Sequence, residues 1–362
     1  MKNRIYLDIH VLQTVPPSCV NRDDTGSPKT AVYGGTTRAR VSSQAWKSAM
    51  RKMFREEIFS AEKLGSRTKY VIRMVAEEIR TLNPLADAEK LAKDVLTCAG
   101  VKFKEDQAEA LFFMSAAQAK ALAEIAVDES FKTPEGKKDA KKLCLQALKE
   151  IPSIDIALFG RMVASEPLLN CDAAAQVAHS ISTHTIQNEY DYFTAVDDLS
   201  PEDTAGAGHL GTIEFNSSTL YRYATLNLTE LEESLGKADT PEAARGFVEA
   251  FIRSMPTGKQ NTFANRTLPS MVYVTIRKDQ PVNLCGAFEH PVYTSEGGYA
   301  EKSEQQLVAY AEDVYKKFVT EPADAFGIGS EVAKISETMP LNVLLDRVAE
   351  KTTSYLAESE GA

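Results

Sequence analysis

Two adjacent carboxylates, Asp23 and Asp24, are the residues of this chain best placed for metal chemistry. Two acids beside a cationic surface could hold a divalent metal ion that cleaves a phosphodiester. The segment Asp-Asp-Thr-Gly is also a strong turn signal, because an Asp side chain accepts hydrogen bonds from the backbone that follows it. We therefore favour turn anchoring over a metal site.

Other motifs are weaker. The spacing of Gly206, Gly208 and Gly211 matches G-x-G-x-x-G, but an acidic loop precedes it and a predicted strand follows, which is the wrong context for a dinucleotide site. His179 and His184 are five residues apart and would lie on opposite faces of a strand. We expect satisfied core or surface histidines, no metal and no cofactor.

Cations are concentrated at the start of the chain. Residues 1–55 carry ten Lys or Arg against three Asp, a net charge of +7, whereas the whole chain has a net charge of −10. The remaining residues therefore sum to −17. An acidic protein with cations gathered at one end is expected to hold an anion there, and a long polyanion such as nucleic acid is the leading candidate.

One predicted helix organises these cations. Ser42 and Ser43 offer N-cap chemistry for a helix that runs to about Phe59. Trp46, Ala49, Met50, Met53 and Phe54 form its core-facing stripe. Lys47, Arg51 and Arg55 follow at i, i+4 and i+8 and form a second stripe beside the first.

The predicted anion site combines this helix with the loop before it. The hydroxyls of Ser42 and Ser43 and the first free N–H groups can bind a phosphate, with Gln44 donating nearby. Lys47 and Arg51 continue the contact along the helix. Arg22 and Lys29, on the loop, can close over the strand of nucleic acid. The alternative interpretation is that this stripe is only a solvated cationic helix face and binds no anion.

A second polar strip precedes the last predicted core strand. It spans Pro256–Pro269 and carries hydrogen-bond donors, namely Lys259, Gln260, Asn261, Asn265 and Arg266. It is either a second nucleic-acid contact or a simple polar connection. No aromatic RNP1 motif is present, so we expect backbone binding of a single strand with little sequence preference.

Periodicity gives the surrounding elements. Ile5, Leu7, Ile9 and Val11 alternate with other residues, which predicts a strand. A long loop is expected from Thr14 to roughly Arg40. Between about Ala61 and Gln176, Ala, Lys, Glu and Leu dominate, and we predict an all-helical insertion. Without it the order is strand, helix, strands, helix, strand, as in an α+β ferredoxin-like or RRM-like core.

Composition bounds the class of protein. The 362 residues are long enough for two or three domains, and no run of 18 apolar residues predicts a membrane span. The five cysteines are scattered, odd in number and free of C-x-x-C pairs, which is typical of reduced thiols. We expect a cytoplasmic protein without a membrane partner.

Several ordered motifs together resemble the multi-copy backbone subunit of the type I-E CRISPR Cascade complex. The resemblance runs from the first strand to at least Pro269 and is weak between Ala61 and Ser153 and after Tyr299. The segments that carry it are Ile9–Leu12, Pro17–Asp24, Gly34–Gly35, Arg40–Gln44, Lys47, Ala49–Arg51, Ala157–Met162, Gln176–His179, Ile181–His184 and Gly258–Ala264.

The resemblance implies a hand-like fold. An RRM-like palm would comprise residues 1–60 and 179–362, a helical fingers insertion residues 61–178, and a β-hairpin thumb residues 194–225 within the palm. RNA contacts of the family carry over to matching positions, and one methionine is implied to wedge against bases. These residues are Arg22, Lys29, Ser42, Gln44, Lys47, Arg51 and Met162.

The resemblance also implies a function. Such subunits are non-enzymatic scaffolds that stack head to tail along a CRISPR RNA, so that guide segments can pair with target DNA. The implied partners are CRISPR RNA, the target DNA strand, further copies of the chain in a helical filament and other Cascade subunits. The alternative is an RNA-cleaving backbone subunit, similar to those of type III effectors, with Asp23 or Asp24 and a metal ion.

Overall fold

The computed structural model describes residues 4–150, 152–163, 166–195 and 209–358. Within these ranges the chain is a mixture of helices and strands, which confirms the α+β class. The strands are β1 (Tyr6–Ser18), β2 (Thr30–Tyr33), β3 (Thr36–Val41), β4 (Gly65–Thr68), β5 (Phe103–Lys104), β6 (Gln107–Ala108), β7 (Phe112–Ser115), β8 (Ala175–Val177), β9 (Ser180–Ser182), β10 (Glu189–Ala195), β11 (His209–Asn227), β12 (Met271–Arg277), β13 (Asp324–Ile328) and β14 (Glu337–Thr338).

The helices differ widely in length. A single π-helical turn over Phe54–Ile58 extends the first of them. The helices are α1 (Ser43–Met53), α2 (Val71–Leu82), α3 (Ala88–Cys98), α4 (Ala116–Val127), α5 (Pro134–Glu150), α6 (Ile154–Phe159), α7 (Leu228–Arg253), α8 (Gln260–Phe263), α9 (Ala300–Lys317) and α10 (Leu341–Glu358). None of the helices in the described ranges is both long and apolar enough to cross a membrane.

One large sheet organises most of the chain. Its strand order is β14-β13-β12-β1-β11-β9-β3-β2, and β8 and β10 also pair with β11. The predicted first strand is central and lies antiparallel to both neighbours, with Ile9 opposite Ala224 on β11 and Val274 on β12. Its continuation to Ser18 and the strands β13 and β14 were not predicted.

Strand β1 is buried on both faces. Leu7, Ile9 and Val11 lie in the core on one side of the sheet, together with residues of α1, α7 and α10. Asp8 and His10 point to the other side, where α9 covers the sheet and Tyr273 of β12 lies beside His10. The alternation therefore predicted one apolar face correctly, whereas the polar residues of the other face are enclosed rather than solvated.

The insertion has its own core but is not all-helical, which corrects the prediction. The helices α2–α5 pack around a second cluster of buried apolar side chains. The insertion also contains β4, which precedes α2 and pairs with β7, and β5, which pairs with β6; both pairs are antiparallel. The missed strand β7 is the buried run Phe-Phe-Met-Ser, and a short continuous apolar run has no period that separates strand from helix.

The expected loop from Thr14 to Arg40 also contains regular structure. Strands β2 and β3 form a hairpin in which Tyr33 pairs with Thr36. Gly34 and Gly35 make the two-residue turn with φ angles of 58° and 75°. Positive φ at both positions is what such hairpin turns require, and it favours Gly-Gly. Only the stretch between β1 and β2 is a true loop.

The segment predicted as a thumb comprises the end of β10 and most of β11. Strand β10 pairs antiparallel with the first part of β11, from Glu189 opposite Phe215 to Ala195 opposite His209. The ribbon therefore begins before the predicted boundary at residue 194. Residues 196–208 of that prediction lie outside the described residues.

Candidate nucleic-acid interface

The start of α1 is held by its cap and by the preceding loop. The Ser42 hydroxyl accepts a hydrogen bond from the Ala45 N–H at 3.3 Å, and the Ser42 N–H donates to Asn21 Oδ1 at 2.9 Å. Ser42 is buried, Ser43 is half-buried and Gln44 is exposed. The Ser42 oxygen is therefore engaged in capping, and Ser43 and Gln44 present the accessible groups of this turn.

A cleft of about 920 Å³ separates α1 from the insertion. It brings together four of the predicted site residues, Gln44, Lys47, Arg51 and Met162. Its charged lining is almost entirely cationic, with a single acid. The charged residues are Lys47, Arg51, Lys52, Arg55, Arg67, Arg161 and Glu56. A cleft lined by one sign of charge concentrates ligands of the opposite sign, here anions.

Aromatic rings lie beside the two central cations. The Arg51 guanidinium carbon is 4.5 Å from the centre of the Phe113 ring, and Lys47 Nζ is 5.8 Å from that of Phe159. Burial lowers the pKa of both cations. For Arg51, the nearby Asp155 opposes that shift. Cations next to aromatic surface are a combination suited to a nucleic-acid strand, which has phosphates and stacking bases.

Met162 lies at the edge of this cleft and is 84% exposed. Its neighbour Arg161 is buried and donates to the backbone carbonyl oxygens of Phe113, Leu148 and Leu169. These bonds fix the chain immediately before Met162. A large apolar side chain is thus presented to solvent on a rigid support, beside cations.

A second group of predicted residues meets at the loop between β1 and β2. Burial raises the pKa of the Cys19 thiol, and the nearby Arg22 and Lys259 oppose that shift. The loop that carries Lys259 also contacts the root of the β10–β11 ribbon, since the rings of Phe263 and Phe215 are 5.7 Å apart. Asn261, in α8, is exposed. The two polar segments predicted separately are therefore neighbours.

Lys29 belongs to a third cationic group that sequence reasoning did not assemble. The Lys29 backbone carbonyl accepts a hydrogen bond from the Arg40 N–H at 2.9 Å. The Arg40 guanidinium reaches His179 Nδ1 at 3.2 Å. Desolvation, Arg40 and Lys29 lower the pKa of His179. Arg40 and His179 lie in the resembling segments, and that was the only sequence signal for them.

His179 and His184, the two histidines considered as a metal motif, have different environments. His179 is exposed, as described above. His184 is buried, stacks on Tyr299 with ring centres 3.6 Å apart, and accepts a hydrogen bond from the Thr219 N–H at 3.1 Å. The prediction of satisfied core or surface histidines did not say which would be which; His184 is the core one and His179 lies at the surface.

Asp23 forms the predicted turn. Its Oδ1 accepts hydrogen bonds from the Thr25 hydroxyl and N–H and from the Ser27 N–H, at 2.7, 2.9 and 3.0 Å. The bond from the Thr25 hydroxyl is the largest of the effects that lower the pKa of Asp23. Asp23 and Asp24 are exposed. In the part of the chain that the structure describes, no three His, Cys, Asp or Glu residues cluster in a way that could hold a metal ion.

Comparisons with known proteins find similar chains in RNA-guided complexes. The chain is 32% identical to a chain of the solved structure described as "CRISPR RNA-guided surveillance complex, pre-nicking", with a TM-score of 0.80 over 96% of this chain and 100% of that one. It is 28% identical to a chain of a "CRISPR RNA-guided surveillance complex", with a TM-score of 0.62 over 96% and 99%. The comparison with curated proteins finds no match. The sequence pattern of the CT1975-like protein family matches residues 7–350, and the chain therefore belongs to that family.

Proposed function

We propose that this chain is a non-enzymatic, RNA-binding backbone subunit of a type I-E CRISPR Cascade complex. In this proposal an RRM-like palm carries the large sheet, the insertion forms the fingers and the β10–β11 ribbon forms the thumb. Copies of the chain stack head to tail along a CRISPR RNA in the cytoplasm. Segments of the guide remain free to pair with target DNA, and other Cascade subunits complete the assembly.

The cleft along α1 is the observation that carries the proposal. Lys47 and Arg51 lie one turn apart on the helix, beside the rings of Phe159 and Phe113, and Met162 closes the edge. Cations can bind successive phosphates without reading bases, and aromatic or apolar groups can contact any base. Sequence-independent binding suits a guide carrier, because base pairing supplies the specificity.

The membership in a family and the similarity to chains of RNA-guided complexes support the same proposal. The similarity extends over essentially the whole length of both chains. It is therefore not limited to a fold element that many unrelated proteins share. The acidic remainder of the chain would discourage nucleic acid from binding outside the palm.

The decisive experiment measures RNA affinity over a salt series. Two unrelated single-stranded RNAs should bind the wild-type chain equally, with a steep dependence on salt. In Lys47→Ala/Arg51→Ala the slope of log K against log salt should fall by about 1.4, or 0.7 per lost phosphate contact. Lys316→Ala/Lys317→Ala removes the same charge from exposed positions on α9, away from the cleft, and should keep the wild-type slope.

Two outcomes would contradict the proposal. One is an unchanged slope in the cleft variant, because the cations would then not contact phosphate. The other is cleavage of labelled RNA in Mg²⁺ that disappears in Asp23→Asn or Asp24→Asn, which would indicate a nuclease. As a further test of the filament, the number of protein copies per RNA, measured by light scattering, should increase stepwise with RNA length.

A further inference from the structure

The carboxylate of Asp155 joins three separate segments of the chain at the back of the cleft. Its Oδ1 accepts hydrogen bonds from the Gly65 N–H at 2.8 Å and from the Ser153 hydroxyl at 2.7 Å. Its Oδ2 lies 3.6 Å from Arg51 Nε. Asp155 therefore links the first strand of the insertion, the start of α6 and the cationic stripe of α1.

We infer that Asp155 is a positioning residue, which holds Arg51 in the orientation that binds an RNA phosphate. The inference rests on the proposed function and names a residue outside the predicted site. Asp155 itself is 1% exposed, so it does not contact RNA directly. It acts through the guanidinium of Arg51, whose side chain retains 20% exposure.

The Arg51 guanidinium is only partly enclosed by its surroundings. The Phe113 ring lies 4.5 Å from its central carbon, and the carboxylate lies next to Nε. Phe113 belongs to β7, which pairs with the strand that begins at Gly65. The same carboxylate thus holds Arg51 and, through Gly65, the strand pair that carries the ring. Arg51 Nε is buried and has no hydrogen-bond partner among the described residues, so its contact with Asp155 Oδ2 at 3.6 Å is an ion pair and not a hydrogen bond.

Asp155 also lies where the two cores meet. Its neighbours Ile154 and Ala157 pack in the core of the large sheet, whereas β7 contributes Phe112 and Met114 to the core of the insertion. A buried polar contact between two packed units fixes their separation more narrowly than apolar contacts do, because its geometry is directional.

The direction in which RNA affinity changes when Asp155 is neutralised distinguishes a positioning role from a purely electrostatic one. Asp155 is an acid at the base of a cationic cleft, so Coulomb's law alone predicts that its neutralisation would strengthen RNA binding. Positioning predicts the opposite, because a guanidinium that is free to rotate loses entropy when a phosphate orders it. The two explanations therefore predict changes in opposite directions.

The test is a double-mutant cycle on RNA affinity. Asp155→Asn keeps the shape of the side chain and one acceptor oxygen, and it should weaken binding by about threefold to tenfold. In an Arg51→Ala background the same change should have no effect on RNA affinity, because the inference has Asp155 act on the RNA through Arg51 and not through the Gly65 strand pair. In a Lys47→Ala background it should keep its full effect. Thermal unfolding of each variant shows whether the fold is intact.

Other results would overturn the inference. Tighter binding by Asp155→Asn would mean that charge alone acts, and an equal loss with and without Arg51 would mean a general structural role. Arg51→Lys, at a half-buried position, provides a second measure should Asp155→Asn fail to fold. It keeps the charge but loses the planar fork, and binding as tight as wild type would contradict orientation by Asp155. Failure of wild type to bind RNA would instead contradict the proposed function.

Discussion

Gly258 packs against the backbone of Val20 without room for a side chain. A Cβ atom at Gly258 would lie 2.1 Å from the Val20 carbonyl oxygen and 2.8 Å from that of Cys19. The contact joins the loop that carries Lys259 to the loop that carries Arg22. Two segments that are distant in sequence therefore meet beside Cys19, where Arg22 and Lys259 lie together with the acids Asp23 and Glu214.

Gly258→Ala should separate these loops. Backbone atoms cannot rotate away as a flexible side chain can, so we expect a loss of stability of about 1–3 kcal/mol, measured by urea unfolding. RNA affinity should fall as well, because Lys259 is displaced from Arg22. Gly298→Ala is the matched control, since a Cβ there has no atom within 4 Å. Equal stability of the two variants would show that the loops adapt freely.

The buried face of β1 contains two titratable groups with opposing pH dependence. Burial raises the pKa of Asp8 to about 6 from 3.8. Burial, followed by the charge of Arg277, lowers the pKa of His10 to about 3 from 6.5. The Tyr223 hydroxyl donates to Asp8, and Tyr221 and Tyr273 face the imidazole. His10 is therefore neutral above about pH 3, whereas Asp8 is neutral only below about pH 6.

When either group is removed, the free energy of unfolding should show the pH dependence that the other group causes. The folded state binds the Asp8 proton more tightly than the unfolded state, so the Asp8 contribution is complete below pH 3.8 and is lost as pH rises through 6. The His10 contribution is complete above pH 6.5 and is lost as pH falls towards 3. Between pH 4 and 6 the two slopes cancel.

Asp8→Asn should therefore lose stability on acidification relative to wild type, by about 3 kcal/mol between pH 6.5 and 4. His10→Gln should lose a similar amount of stability relative to wild type, but as pH rises from 4 to 6. Urea midpoints at several pH values measure both. Parallel profiles for all three proteins would mean that folding shifts neither pKa.

The two serines before α1 should separate stability from binding. Ser42→Ala removes the N-cap acceptor and should lower stability by about 1 kcal/mol. Ser43→Ala should leave the melting temperature unchanged and weaken RNA binding by roughly threefold to tenfold, because its hydroxyl is accessible. A lower melting temperature for Ser43→Ala would show that Ser43, and not Ser42 alone, stabilises the start of α1, which would contradict this assignment.

Met162→Ala should affect RNA and not the fold. The side chain is 84% exposed, so its removal should change stability by no more than about 0.5 kcal/mol. If it covers a base in the complex, up to about 2 kcal/mol of binding free energy should be lost. Leu85→Ala is a suitable control, because Leu85 is 98% exposed and does not line the cleft. Equal RNA affinities of the two variants would exclude the base contact.

The sequence was most informative where a period is long and regular. The alternation along β1 and the two stripes on α1 each follow from one local conformation, so the positions of Lys47 and Arg51 were predictable. The strand β7 was not, because a run of four buried residues is compatible with either conformation. The Gly34-Gly35 pair is a recognisable signal for a two-residue hairpin turn, and the prediction of a long loop did not use it.

The sequence by itself determined the helix, its cap, its cationic stripe and the excess of positive charge in the first 55 residues. Only the tertiary structure decided what those cations face. The ring of Phe113 reaches the cleft from β7, a strand of the insertion with its own core, whereas Asp155 and the ring of Phe159 lie on α6, which packs on the core of the large sheet. Local propensity describes neighbours along the chain, whereas packing of two cores decides which distant segments meet.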